Sequence, residues 1–435
     1  FIMEVEGLDF RQALELLARR AGVDLSLYQN SGSQELAKRK KRLLEANELA
    51  ARYFQQNLVQ NKRAQEYVFS KRRLSKEVVQ DFRIGYAPDS GDALVGVLRR
   101  RGFSAKELQD AGVTNRFGGD LFRGRMMVPL MDASGQVIGF TGRIIIDDPS
   151  APKYLNTPQT LIYDKSRHVF GLSQAKEAIR TNDYAVVVEG NLDVVSSHQA
   201  GIKQVVATAG TAMTESHLRA LSRLSSNIRL SFDGDKAGLA ATERAIPIAQ
   251  TVGVELSIVS LPAGAKDPDE LIQQGVELWQ QAIDASRPVV DWVIEQFAGR
   301  EDLTTAAGKR RFTSAATDVI KALQDPVEQD HYLAQIAKLT NTSREAVQRK
   351  LAGETQAQEA PKRPVKPGNH EAAILIQPDP IQDRLLKAAL EDVRIQELLA
   401  NVDPQLFKGD YRQAVVAYIA AHKGTVVEQP PEDLQ

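Results

Sequence analysis

Glu189 follows the apolar run Ala185–Val188, and Asp233 and Asp235 follow a second run, Ile228–Phe232. Farther on, Asp267 and Asp269 sit in a polar loop, Ala265–Glu270, after the strand-like stretch Glu255–Leu261. In an open parallel sheet the carboxyl ends of the strands form the ligand-binding rim, so these acids are expected at one crevice. Carboxylates gathered there would repel, since two unit charges about 4–5 Å apart cost roughly 3–4 kcal/mol at an effective dielectric near 20. They need a counter-charge, and an all-oxygen set suits a hard cation, Mg²⁺ or Mn²⁺, better than zinc. Mg²⁺ keeps positions for substrate phosphates, so the chemistry indicated is phosphoryl transfer. Singly the acids say less. A Glu after a strand can bind ribose or cap a helix, and Asp-Gly-Asp can be a turn or a phosphatase-like nucleophile pair. The conjunction of the three groups carries the reading.

The elements that must position these acids follow from the surrounding pattern. Ala185–Val188, Gln204–Ala207 and Ile228–Phe232 read as strands buried on both faces. The segments between them, Leu192–Gln199 and Glu215–Leu224, are long enough to be crossover helices. A β-α-β-α-β unit with parallel strands and right-handed crossovers is predicted.

Length and composition bound the rest. With 435 residues, 43% apolar and 26% charged, the chain reads as a soluble protein of two to four domains. No run approaches a membrane span, there is no signal peptide, and the absence of cysteine excludes disulfides and thiolate zinc sites within this sequence. These features fit the cytoplasm. A chain opening on Phe1 and closing on QPPEDLQ reads as a piece of something longer. The net charge of −1 conceals a division: residues 1–170 hold 27 Lys/Arg against 20 Asp/Glu, and the remainder 28 against 36. A basic front half beside an acidic metal site suits a polyanion held while its phosphates are worked on.

In chain order, residues 4–23 have helical spacing with Asp9 as N-cap, and Gln34–Asn61 reads as a long helix whose KRKKR run at 38–42 is a solvated face. Short helices are expected over Ala64–Lys71, Ser75–Phe82, Ala93–Arg101 and Ser104–Ala111, with Ser75 and Ser104 as caps. Arg125–Met131 and Gln136–Arg143 flank the turn Asp132–Gly135 as a hairpin. Around it gather Arg116, Arg123, Arg125, Arg143, Lys153, Lys165 and Arg167, interleaved with Tyr154, Asn156 and Tyr163, a mixture suited to triphosphate and nucleic-acid backbone. Gly275–Ala298, Thr305–Gln324 and Pro326–Ala352 read as helices without strand signals. Ala352–Pro380, with prolines at 361, 364, 367, 378 and 380, reads as a tether, and Ile381–Lys423 is helical again.

These residues together resemble the bacterial replicative DNA primases of the DnaG type, whose core is a Toprim fold. The resemblance rests on RGRMMVPLMDASGQVIGFTGR at 123–143, PKYLNTP at 152–158, YDKSR around Lys165, and then VVVEGNLDVV, ATAGTAMT, SFDGDKAG and AKDPDE in that order. One departure is Asn191, where the family's Glu-Gly-x-x-Asp motif usually has an aromatic. The resemblance implies an α/β chain, α+β overall, with a Rossmann-like parallel-sheet core. Its parts would be a helix and linker remnant after a missing zinc ribbon (1–28), a basic mixed α/β subdomain (34–170), the Toprim subdomain (171–273), a helical subdomain (274–352), a Pro-rich linker (353–380) and the start of the helicase-binding domain (381–435). It implies that Glu189, Asp233, Asp235, Asp267 and Asp269 serve two or more Mg²⁺ or Mn²⁺ ions, with Asp193 in support. Glu189, Asp233 and Asp235 would be catalytic. Glu189 could be a ligand or the acceptor of the attacking hydroxyl's proton. Arg123, Arg125, Arg143, Lys153, Asn156 and Lys165 would bind nucleotide or nucleic acid, and zinc would belong only to the missing ribbon. The implied activity is DNA-directed synthesis of short RNA primers from ribonucleoside triphosphates on single-stranded DNA at the replication fork, with the replicative helicase and a single-strand-binding protein as partners and no membrane. The alternatives are a Toprim nuclease or topoisomerase that cuts DNA, and a non-catalytic adaptor between helicase and single strands.

Overall fold

A computed structural model of the chain describes residues 2–3, 10–21, 23, 31–146, 148, 150–208, 210–232, 236–262 and 264–353, with parts of 382–421. It divides into two compact units, Phe1–Thr355 and Gln356–Gln435.

The first unit opens with helices α1 (Phe10–Ala21) and α2 (Ser31–Gln60). Asp9, expected to cap the first, lies outside the described residues. Ala13 and Leu16 of α1 pack with Ala133. After α2 a one-turn helix, Lys62–Gln65, runs into a π-helical turn over Glu66–Lys71, where the sequence reads as one α-helix. Helices α3 (Lys76–Asp81), α4 (Ala93–Arg100) and α5 (Ala105–Asp110) follow as expected. Ser75 caps α3, and Ser104 forms a capping box with Glu107 at α5. An antiparallel sheet joins β1 (Gly85–Ala87), β2 (Arg125–Met131), β3 (Val137–Ile144) and β4 (Tyr154–Asn156) in that order. Every residue of β2 is buried, because helices cover one face and the central sheet the other.

Helix α6 (Leu172–Asn182) leads into the central sheet, which runs β6 (Val205–Ala207), β5 (Ala185–Val188), β7 (Asn227–Ser231), β8 (Glu255–Ile258) and β9 (Arg287–Pro288). The first four strands are parallel, as the β-α-β pattern requires. Val187, Ile228 and Leu230 face one core, while Val186, Val188, Val205 and Ala207 face another. The second core also holds Val68, Phe82, Met126 and Val128, so one face of the central sheet and the basic subdomain bury a common set of side chains. Fully burying a Val or Met is worth about 1.5–3 kcal/mol, and that shared core fixes the basic hairpin against the sheet.

The crossovers α7 (Asn191–Gln199) and α8 (Glu215–Ser222) lie where the sequence puts them, and α9 (Lys236–Val252), α10 (Pro268–Gln274) and α11 (Val276–Asp284) follow. The stretch read as one helix over Gly275–Ala298 is interrupted: β9 adds an antiparallel edge to β8 before α12 (Val289–Arg300). Proline cannot donate to a ladder, and an edge strand tolerates it. Helices α13 (Ala306–Lys321), α14 (Pro326–Thr340) and α15 (Arg344–Leu351) complete the unit, Asn341 closing α14 in the left-handed conformation. The proposed tether lies outside the described residues from position 354 onward. In the second unit, helices Val393–Leu399 and Asp410–Ala421 bury Leu399, Val416 and Ile419 in a small core with Leu386 and Phe407.

Candidate active site

Glu189 is the first residue after β5 and is exposed at the rim, as the sequence requires. Asp193 stands on the first turn of α7, four residues on. Burial, then the charges of Asp267 and Asp269, push its carboxyl up to about 7, against the opposing effect of the backbone of Asp269 and Gly190. Gly190 is the residue that permits this packing: a Cβ there would stand 2.4 Å from Asp193 Oδ2.

Asp267 and Asp269 reach the same place from α10. Asp267 caps the helix, its Oδ1 accepting the Glu270 N–H at 2.8 Å, with Pro268 at the first helical position. Asp269 is held from two sides: the Ser196 hydroxyl on α7 donates to its Oδ1, and Arg72 Nη1 lies 3.8 Å from its Oδ2. Neither Ser196 nor Arg72 figures in the sequence reading, since both contacts join segments far apart in the chain. Asp233 and Asp235 lie outside the described residues, just beyond β7. Among the described residues no three acidic or imidazole side chains stand close enough to hold an ion by themselves. The acids at the rim nonetheless offer carboxylate oxygens, and burial first and the neighbouring charges of Asp267 and Asp269 second hold Asp193 toward its neutral form. That chemistry fits a hard divalent cation.

The basic residues divide by exposure. Arg123 and Lys153 are exposed, and Arg143 and Lys165 are half-buried. Arg143 lies over the ring of Tyr154, 5.1 Å from its centroid, and donates through Nη1 to the Tyr154 hydroxyl. Burial raises the Tyr154 phenol pKa, Arg143 opposes that, and the charge of Asp193 adds to it, so the hairpin and the acidic rim feel each other. Lys165 sits on a loop fixed by α8: His217 Nε2 donates to the Lys165 carbonyl at 3.0 Å, and the Thr214 hydroxyl to the Ser166 carbonyl. The Oδ1 atoms of Asn156 and Asn191 are buried without a hydrogen-bond partner.

Arg125 departs from the expectation of nucleotide contact. It is 4% exposed, and its Nη1 donates to the carbonyls of Gly142 and Pro152 at 3.2 and 2.8 Å. Its guanidinium ties the segment before β4 to the hairpin from behind. Burial lowers its pKa, as it must for a cation surrounded by backbone.

Three family models match the chain: DNA primase catalytic core, N-terminal domain, over residues 53–176; Toprim-like over 186–272; and DnaB-helicase binding domain of primase over 290–345. The third falls on α12 to α14, ahead of the segment from 381 to which the sequence reading gives helicase binding. A DNA primase of Clostridium acetobutylicum is 33% identical over 353 residues, covering 80% of this chain and 58% of that protein. A DNA primase of Halalkalibacterium halodurans is 30% identical over 451 residues, covering 99% of this chain and 74% of that protein. A DnaG primase catalytic domain solved bound to single-stranded DNA superposes with a TM-score of 0.63 at 32% identity, over 71% of this chain and 99% of that one. With 58% of the Clostridium protein spanned, this chain corresponds to part of that relative's length. Fold, motif order and likeness agree: the chain belongs to the family of bacterial DnaG-type DNA primases.

Proposed function

We propose that this chain joins ribonucleotides into short RNA primers on a single-stranded DNA template, releasing pyrophosphate, in the cytoplasm at the replication fork. The observation that carries the reading is the meeting of Asp193, Asp267 and Asp269 with the Arg143–Tyr154 pair, an acidic rim facing a basic hairpin. Mg²⁺ or Mn²⁺ held by Glu189, Asp233, Asp235, Asp267 and Asp269 would offset the charge of the triphosphate and of the attacking and leaving oxygens.

The protein's own groups supply the rest. Arg143, Lys153 and Lys165 hold the triphosphate and add positive charge where negative charge develops. Arg123, exposed just before β2, contacts the strand backbone, and the unpartnered Asn156 Oδ1 accepts a hydrogen bond from bound nucleotide. Asp193, packed against Gly190 and beside Asp267 and Asp269, supports the turn that carries Glu189. Glu189 serves either as ligand or as acceptor of the 3′-hydroxyl proton.

The test is primer synthesis on a single-stranded template with labelled ribonucleoside triphosphates and Mg²⁺. Wild-type protein is expected to give extension products, and Glu189→Gln or Asp233→Asn to give none while unfolding at the wild-type temperature. Normal synthesis by either variant would refute that residue's role. Nicked DNA without extension would point to a nuclease, and strand binding indifferent to metal would point to an adaptor. Helicase and single-strand-binding protein are the proposed partners, the helicase through residues 290–345 or the tail from 381. Deleting each segment in a pull-down with helicase decides between them.

A further inference from the structure

The π-helical turn Glu66–Lys71 brings Tyr67 to a place that no motif above includes. Its hydroxyl accepts from two cations at once: Arg143 Nε at 2.8 Å and Arg72 Nε at 3.3 Å. Arg143 is the guanidinium on Tyr154 at the hairpin, and Arg72 is the one beside Asp269 at the acidic rim. One phenol oxygen therefore links the two halves of the site. A π turn is wider than an α turn and is frequent at functional sites; here it leads directly into Arg72.

The segment that follows is clamped to the central fold. Gln199, at the end of α7, donates through Nε2 to the Arg73 carbonyl at 2.9 Å and accepts the Ser75 N–H on Oε1 at 2.7 Å. Arg73 sits between them in the left-handed region, at φ +55°, a conformation costly for a side chain of this size. The same helix carries Asp193 at its start and Ser196, which bonds Asp269, in its middle. Helix α7 thus sets the position of the acids and of the segment bearing Tyr67 and Arg72.

We propose that Tyr67 is a positioning residue for nucleotide: its hydroxyl holds Arg143 toward the incoming triphosphate and Arg72 against Asp269. The proposal rests on the primase reading. A flexible guanidinium bonded on Nε by one phenol and on Nη1 by another loses fewer rotamers when it meets a phosphate. Tyr67→Phe removes the acceptor and keeps the ring.

The experiment measures kcat and KM for ATP in template-directed synthesis, and ATP affinity by titration calorimetry without template. Variants Tyr67→Phe, Arg143→Met and the double variant are compared with wild type. Tyr67→Phe is expected to raise KM and weaken ATP binding about ten- to 150-fold, the effect of one hydrogen bond to a charged group, with kcat falling by less. Tyr67→Phe is expected to cost less in the Arg143→Met background than in wild type, because only the part acting through Arg72 remains to be lost. Additive losses, or KM and affinity unchanged in Tyr67→Phe, would overturn the proposal. So would a lowered melting temperature with kcat and KM both impaired, which marks a purely structural phenol. Failure here with wild-type protein still extending primers leaves the primase reading intact, whereas no template-directed extension by wild-type protein removes that reading instead.

Discussion

At the scale of single residues, chemistry and packing are set by the same few atoms. Gly190 has no Cβ because Asp193 Oδ2 occupies the place one would take. Gly190→Ala is expected to displace that carboxylate and cut primer synthesis at least ten-fold with little change in melting temperature, measured side by side. The buried histidines give a second test. Burial pushes His198 down to about 4 and His168 to about 3, while an unfolded histidine titrates near 6.5. Below pH 6.5 the unfolded chain takes up protons that the fold refuses, so stability present above 6.5 is lost as pH falls, by roughly 1 kcal/mol per histidine per pH unit. Asp193, raised to about 7, acts in the opposite sense across the same range. Comparing His198→Gln with wild type cancels that common contribution. The variant is expected to show a shallower fall in melting temperature between pH 6.5 and 5. The positions of Glu189, Asp267 and Asp269 were legible because each comes after a strand-like run, and that of Asp193 only through the resemblance. Arg125 was misread because an arginine at a strand's start looks alike in sequence whether it points to solvent or into the protein.

At the scale of elements, what sequence reveals is local and what it hides is long-range. The parallel strands and their crossovers could be read from apolar runs and spacing, and the caps at Ser75 and Ser104 from the acid that follows each. The cap of α4 could not. Asp92 precedes that helix and makes no side-chain cap bond, and its N–H groups at Leu94 and Val95 are taken instead by Asp120, at 3.0 and 2.9 Å. Asp120→Ala would strand two buried donors, and a loss of about 2–4 kcal/mol is expected in denaturant unfolding. Asp120→Asn, which keeps one oxygen acceptor, should lose less. The edge strand β9 was equally hidden, since two residues carry no periodicity and only the neighbouring β8 makes them a strand. The π turn is a third case: α and π windings of Glu66–Lys71 share one sequence pattern, and the long-range bonds of Tyr67 and Arg72 come with the second.

For the whole molecule, the division at Thr355 separates the rim, the hairpin and the helices α12 to α15 from the last eighty residues. A chain ending at Thr355 is expected to unfold cooperatively and to keep primer synthesis within about two-fold of the full chain; loss of either would show that the second unit contributes to the site. The order of parts within the first unit was readable from the order of motifs, because each is a contiguous run. How the parts grip one another was not, because Gln199 meets residues 124 and 126 positions away. That grip has a consequence for transplanting parts between relatives. Replacing residues 186–272 alone with a foreign counterpart would exchange Gln199 and Asp269 while leaving their partners Arg73, Ser75 and Arg72 behind. A hybrid that also carries the donor's stretch from Glu66 to Ser75 brings both sides of the seam from one parent, so the natural unit of exchange is discontinuous in the chain.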